Sequence, residues 1–114
     1  MQYMLLIHSQ ETAAPDDPEV MKRYGAFTQE VQGAGKLVAG DRLQPTAAAT
    51  TVRIRNGETL TTDGPFAETK EQLGGYYILE CDNLDEALAY AAKIPAAEHG
   101  SVEVRPIAQV PARV

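Results

Sequence analysis

"YYILECDNLDEALAYAAKIP", residues Tyr76 to Pro95, carries a strand, a helix start and a helix stop in one unbroken run. Tyr76 to Cys81 is apolar on both alternating sets, the pattern of a strand covered on both faces. Asn83, with Glu86 one turn further on, has the form of a capping box. Leu84, Leu88 and Ala91 or Ala92 then recur at helical spacing, and Pro95 stops the helix. Beyond it "SVEVRPI" (Ser101 to Ile107) alternates, with Val102 and Val104 on one face and Glu103 and Arg105 on the other. Strand, helix and strand make one βαβ-like half.

The N-terminal part repeats the order. "YMLLIH" (Tyr3 to His8) is again apolar on both sets. Asp17 is placed to cap a helix whose first residue is Pro18, with Glu19 suited to the positive end of the dipole. Val20, Tyr24, Phe27 and Val31 form one apolar stripe, and "GAGK" (Gly33 to Lys36) ends the helix before the short strand "LVAG" (Leu37 to Gly40). Between the halves, "TTVRIR" and "ETLTT" flank Asn56-Gly57, the signal of a two-residue type I′ hairpin. Two βαβ-like halves around an antiparallel sheet describe a ferredoxin-like α+β plait.

Two helices cover one face of such a sheet, yet the first and central strands are apolar on both. An uncovered face would be an apolar patch on the order of several hundred Å², which monomers seldom carry. A second copy packed sheet against sheet is the simplest cover, so a homodimer is expected.

Length and composition agree with one domain spanning residues 1–114, with 44% hydrophobic and 23% charged residues. The net charge of -6 and the scattered basic residues argue against nucleic acid as a partner. Cys81 is alone, so no internal disulfide forms, and a buried inert thiol is its simplest role. The N-terminal apolar run is too short for a signal peptide or a membrane span, so a cytoplasmic location is expected.

The stretch "TTDGPFAETKEQLGGYY" (Thr61 to Tyr77) concentrates the residues that could do chemistry. Asp63-Gly64-Pro65 is a turn signal, and Phe66 is expected to anchor that turn to the core. Glu68, Lys70 and Glu71 alternate in sign. Gly74-Gly75 at the mouth of a strand points to a bulge, or to close approach by another backbone or a ligand.

"DGPFAETKEQLGGYY", the "DEA" helix and the closing "GSVEVRP" resemble the DGPF-type branch of the YCII-related proteins, from "YMLLIH" through "VAGDRLQP" to "SVEVRPI". The resemblance implies a ferredoxin-like subunit pairing into a dimeric α+β barrel. It also implies one of two roles. In the first, a histidine and an aspartate act in a pocket. In the second, the protein is a regulatory module beside an extracytoplasmic-function sigma factor.

Asp63 is therefore taken as general base or polar-ligand binder, against the alternative of a turn-capping aspartate. His99, in "EHGS" before the last strand, is its natural acid/base partner, while His8 suits packing at a strand end. Lys70 either holds an anionic substrate group or pairs with a neighbouring carboxylate. Glu68, Gly74 and Gly75 join the candidate binding residues, as does Arg105, which shares a strand face with Glu103. No metal is expected, since two histidines and one cysteine lack zinc-ligand spacing. No cofactor is expected either, for there is no phosphate loop and no nucleophile elbow. The function these residues describe is acid/base chemistry on a polar or anionic metabolite near the dimer sheet, the alternative being the non-catalytic sensing module.

Overall fold

The computed structural model describes residues 1–11 and 17–110. In chain order the elements are β1 (Gln2–Ser9), α1 (Pro18–Gly33), β2 (Leu37–Arg42), β3 (Thr50–Arg55), β4 (Glu58–Asp63), β5 (Gln72–Glu80), α2 (Leu84–Ala91) and β6 (Ser101–Pro106). Short 3₁₀ turns occupy Thr46–Ala48 and Pro95–Glu98. The main sheet has the order β2-β5-β1-β6, with every neighbour antiparallel. Each half's helix thus joins two strands separated by a strand of the other half, which is the ferredoxin-like plait. No helix among the described residues is long and apolar enough to cross a membrane.

Local chemistry explains the boundaries. The Asp17 carboxylate accepts the Glu19 amide at 2.9 Å, and Pro18 occupies the first turn, where its missing N–H costs nothing. At the far end Gly35 N–H donates to Gln32 C=O and Lys36 N–H to Val31 C=O, the paired bonds of a Schellman stop. Asn83 Oδ1 caps α2 through the Glu86 amide at 2.9 Å. The reciprocal arm goes to a different amide than a capping box requires: Glu86 Oε1 accepts from Asp82 N–H.

The core lies between the helices and one sheet face. Tyr3, Leu5, Ile7 and Leu79 point into it from the sheet, meeting Phe27 and Val31 of α1, Ala87 and Ala91 of α2, and Ile94. Phe27 stands edge-on to Tyr77 at 5.0 Å between centroids, and the Tyr77 hydroxyl bonds Thr28 Oγ1 at 2.9 Å. Cys81 is buried here, and burial pushes its thiol above the ordinary range, as an inert thiol requires. The opposite, outer face runs through Met4, Leu6, Tyr76 and Ile78. Met4 sits opposite Ile78 and Arg105, and Leu6 opposite Tyr76 and Glu103. All four apolar side chains remain partly exposed.

Three expectations change and one open point is settled. First, β5 begins at Gln72, so Gly74 and Gly75 lie inside the strand instead of at its mouth. The bulge is there, however: β1 pairs Ile7 with Gly75 but His8 with Leu73, leaving Gly74 as the extra residue. A close backbone is there too, since a Cβ on Gly75 would stand 3.0 Å from the Asp41 carbonyl oxygen. Second, a point the sequence left open, β3 and β4 form their own two-stranded sheet and take no place in the main one. Asn56 and Gly57 have φ of 52° and 77°, as the type I′ turn demands. Third, Leu84 and Leu88 are 46% exposed, and the buried side of α2 is Ala87 and Ala91. Alanine lets the helix sit close to the sheet, and Ile94 then fills the space beyond the helix end. Fourth, Phe66 does not anchor its turn in the core. It is 79% exposed.

Candidate functional site

β1 carries Met4, Leu6 and His8 on one alternating set, so His8 emerges on the outer face at the C-terminal end of the strand. β6 runs antiparallel beside it, which brings Ser101 opposite His8 and Glu103 opposite Leu6. The segment entering β5 closes the third side: Ser101 Oγ donates to Glu71 Oε1 at 2.8 Å, and the Gln72 amide side chain bonds Thr69 C=O. Together His8, Gln10, Thr69, Lys70, Glu71, Ser101 and Glu103 line an open hollow of about 620 Å³. That is the size range of small-molecule sites.

One glycine makes the corner. A Cβ on Gly100 would stand 2.3 Å from the His8 carbonyl oxygen and 3.1 Å from Ser9 Cα. The chain can therefore turn into β6 directly against the end of β1 only where no side chain intervenes. That turn sets Ser101 and Glu103 beside His8.

Inside the hollow His8 Nε2 is buried and has no hydrogen-bond partner among the described residues. Glu103 Oε1 stands 3.5 Å from it, near enough to attract an imidazolium, and Glu103 Oε2 stands 3.5 Å from Arg105 Nε. The Lys70 ammonium makes no ion pair with a described residue. An imidazole able to carry a proton, a carboxylate close enough to stabilise its charged form and a lysine without an ion pair to a described residue thus share one wall system. Among the described residues no group of His, Cys, Asp and Glu is clustered to hold a metal.

Of the candidates named from sequence, Lys70 lines this hollow, and Arg105 touches it through Glu103. Glu68 is exposed in the preceding loop, and Gly74 and Gly75 form the bulge opposite the β1 end. Asp63 closes the hairpin sheet opposite Thr50, exposed, and does not line the hollow. His99 is exposed at the end of the Pro95–Glu98 turn. No hydrogen bond among the described residues joins Asp63 to His99, and neither lines this hollow. His8, Gln10, Thr69 and Ser101 also line the hollow and were not among the binding or catalytic candidates named from sequence. A signal was available for His8: it has the phase of Met4 and Leu6, the outward set.

Comparison with known proteins adds three findings. The family model described as a YCII-related domain matches residues 1–111. An uncharacterised protein of Rhizobium meliloti (strain 1021) is 44% identical over 115 residues, covering 95% of this chain and 93% of that protein. The fold is shared with the 5-chloro-2-hydroxyhydroquinone dehydrochlorinase of Burkholderia phenoliruptrix AC1100, solved in complex with 2,5-dihydroxybenzoquinone. That match has a TM-score of 0.58 and 12% identity, and covers 96% of each chain.

Proposed function

The chain belongs to the YCII-related domain family, and from that premise we propose that it binds a small polar or anionic metabolite in the His8 hollow and performs cofactor-free acid/base chemistry there. The observation that carries this reading is the buried, unpartnered His8 Nε2 facing Glu103 in a hollow that also holds Lys70. A buried polar atom without a partner costs free energy, and a ligand group able to bond it recovers that cost. His8 takes or gives the proton, Glu103 steadies the imidazolium, and Lys70 draws the anionic group of the ligand. Asp63 and His99 have no step in this scheme. The functional unit is a cytoplasmic homodimer, in which outer sheet faces cover one another and dry the hollow.

The fold neighbour is an enzyme captured with a hydroxylated quinone, a ligand with acidic hydroxyls. This makes 2,5-dihydroxybenzoquinone, alongside small phenols and carboxylates, the first probe to try by thermal shift and calorimetry. We expect at least one such compound to raise the melting temperature of the native protein. Lys70→Ala and His8→Asn should each weaken that binding about tenfold or more, equivalent to about 1.4 kcal/mol. If no compound binds, or if bound compounds ignore both substitutions, the pocket reading fails and the non-catalytic sensing module takes its place.

A further inference from the structure

The β3–β4 hairpin is an arm without a substantial resting place among the described residues. It packs chiefly on itself, and the molecule extends over 48 × 44 × 19 Å. The radius of gyration is 16.2 Å, against about 13 Å for a compact chain of this length. Val52 and Ile54 share one face of the arm, with Thr61 and Thr59 opposite them, and Ile54 is 64% exposed. A lone two-stranded hairpin is marginal in water, so an arm with bare apolar side chains needs a surface to lie on.

The arm is also aimed. At its root Gly64 N–H donates to Ala49 C=O at 2.7 Å, Thr51 Oγ1 to Gly64 C=O at 2.8 Å, and Arg53 Nη2 to Phe66 C=O at 3.3 Å. These bonds immobilise the backbone around an aromatic ring that faces solvent. Phe66 is three residues from Thr69, so at most about 11 Å of chain separates it from the pocket wall. The hollow, for its part, is lined by no hydrophobic residue: its apolar surface comes from the stems of polar and charged side chains. Small-molecule sites are lined predominantly by hydrophobic and aromatic side chains, a kind of wall this hollow lacks. The hollow opens on the outer sheet face, where a second copy is needed to cover Met4, Leu6, Tyr76 and Ile78.

We propose that the arm of one protomer lies on a second copy of the chain and that its Phe66 supplies the missing apolar wall of the other copy's hollow. Charge favours the same occupant. Arg53 and Arg55 make no ion pair with a described residue, their guanidinium groups bonding only carbonyl oxygens, while the chain carries a net charge of -6. Glu71 and Glu103 of a second copy are therefore suitable counter-charges. The hollow's identity as a ligand site rests on the reading above, but the arm's placement does not.

The test replaces Phe66 with photoreactive p-benzoylphenylalanine, an aromatic exchange at an exposed position, in an equal mixture of light and nitrogen-15-labelled protein refolded together. After irradiation we expect a covalent dimer whose cross-linked peptides pair a light with a heavy chain. The attachment should lie in residues 8–10, 69–71 or 101–103 of the other copy. Absence of a covalent dimer, pairs of one label only, or attachment elsewhere overturns the proposal. A second arm variant, Ile54→Asp, should weaken self-association at least tenfold with an unchanged circular dichroism spectrum, and unchanged association likewise overturns it. If no small molecule binds, the function proposed above falls while the cross-link map stands.

Discussion

At the scale of single residues, two glycines at the pocket end of the sheet separate close approach from mere flexibility. A Cβ on Gly100 meets the His8 carbonyl oxygen at 2.3 Å, whereas one on Gly74 meets nothing within 4 Å. Gly100→Ala must push backbone against backbone, and we expect it to cost about 1–3 kcal/mol in urea unfolding. Gly74→Ala should be neutral or stabilising by up to about 1 kcal/mol, because alanine restricts the unfolded chain. Equal losses at both positions would show that the bulge, not the corner, is the demanding feature. The lining of the hollow was only half legible from the sequence. Lys70 stood out because charge is a property of the residue itself. The placement of His8 in the hollow depends on the bulge, the Gly100 corner and the arrival of β6, which lie at distant points of the chain. The "DGPF" residues drew attention as a cluster, but Asp63 and Phe66 stand on the arm.

At the scale of elements, α2 is tied to the start of β2 by charge. Lys36 Nζ lies 2.8 Å from Glu86 Oε1, and this contact, with the Asp82 amide, holds the Glu86 carboxyl below its ordinary value of 4.5. A carboxyl with a lowered folded-state pKa stabilises the fold above its unfolded pKa, and that contribution fades as pH falls through the folded value. Glu98, held low by its bond to Arg23, acts with the same sign. Unfolding midpoints should therefore drop below pH 4.5, and Glu86→Gln should flatten that drop when midpoints are compared on either side of it. An unaltered profile would assign the acid response to other carboxylates. Element types and caps were readable because they depend on near neighbours: Asp17, Pro18, Asn83 and Asn56-Gly57 all behave as their local chemistry dictates. The buried side of α2 was not, because leucine spacing alone cannot report that the sheet is close enough to prefer Ala87 and Ala91. Nor could alternation in β3 and β4 reveal whether the hairpin joins the main sheet, since an arm and an internal strand pair have the same pattern.

At the scale of the molecule, an α+β plait with helices on one face leaves the other to be covered. Leu6 sits near the middle of that outer face, beside Tyr76 and Glu103. Leu6→Arg should leave the subunit folded, since the side chain is outside the buried core, yet disrupt sheet-on-sheet pairing. Sedimentation should find the native protein at twice the chain mass of 12.3 kDa and the variant at the chain mass. A native protein that stays at the chain mass at micromolar concentration would remove the dimer altogether. The plait was legible from the order of strands and helices; the arm's reach was not, because nothing in its sequence says what it rests on. Its position in the topology has a further result. β2 and β5 are already bonded neighbours, and the hairpin merely loops out between them. Insertions, deletions or wholesale exchange within that loop leave the plait's hydrogen bonding untouched, so evolution has a detachable cassette on a constant chassis. Divergence among kin should accumulate there first, before it reaches the residues that line the His8 hollow.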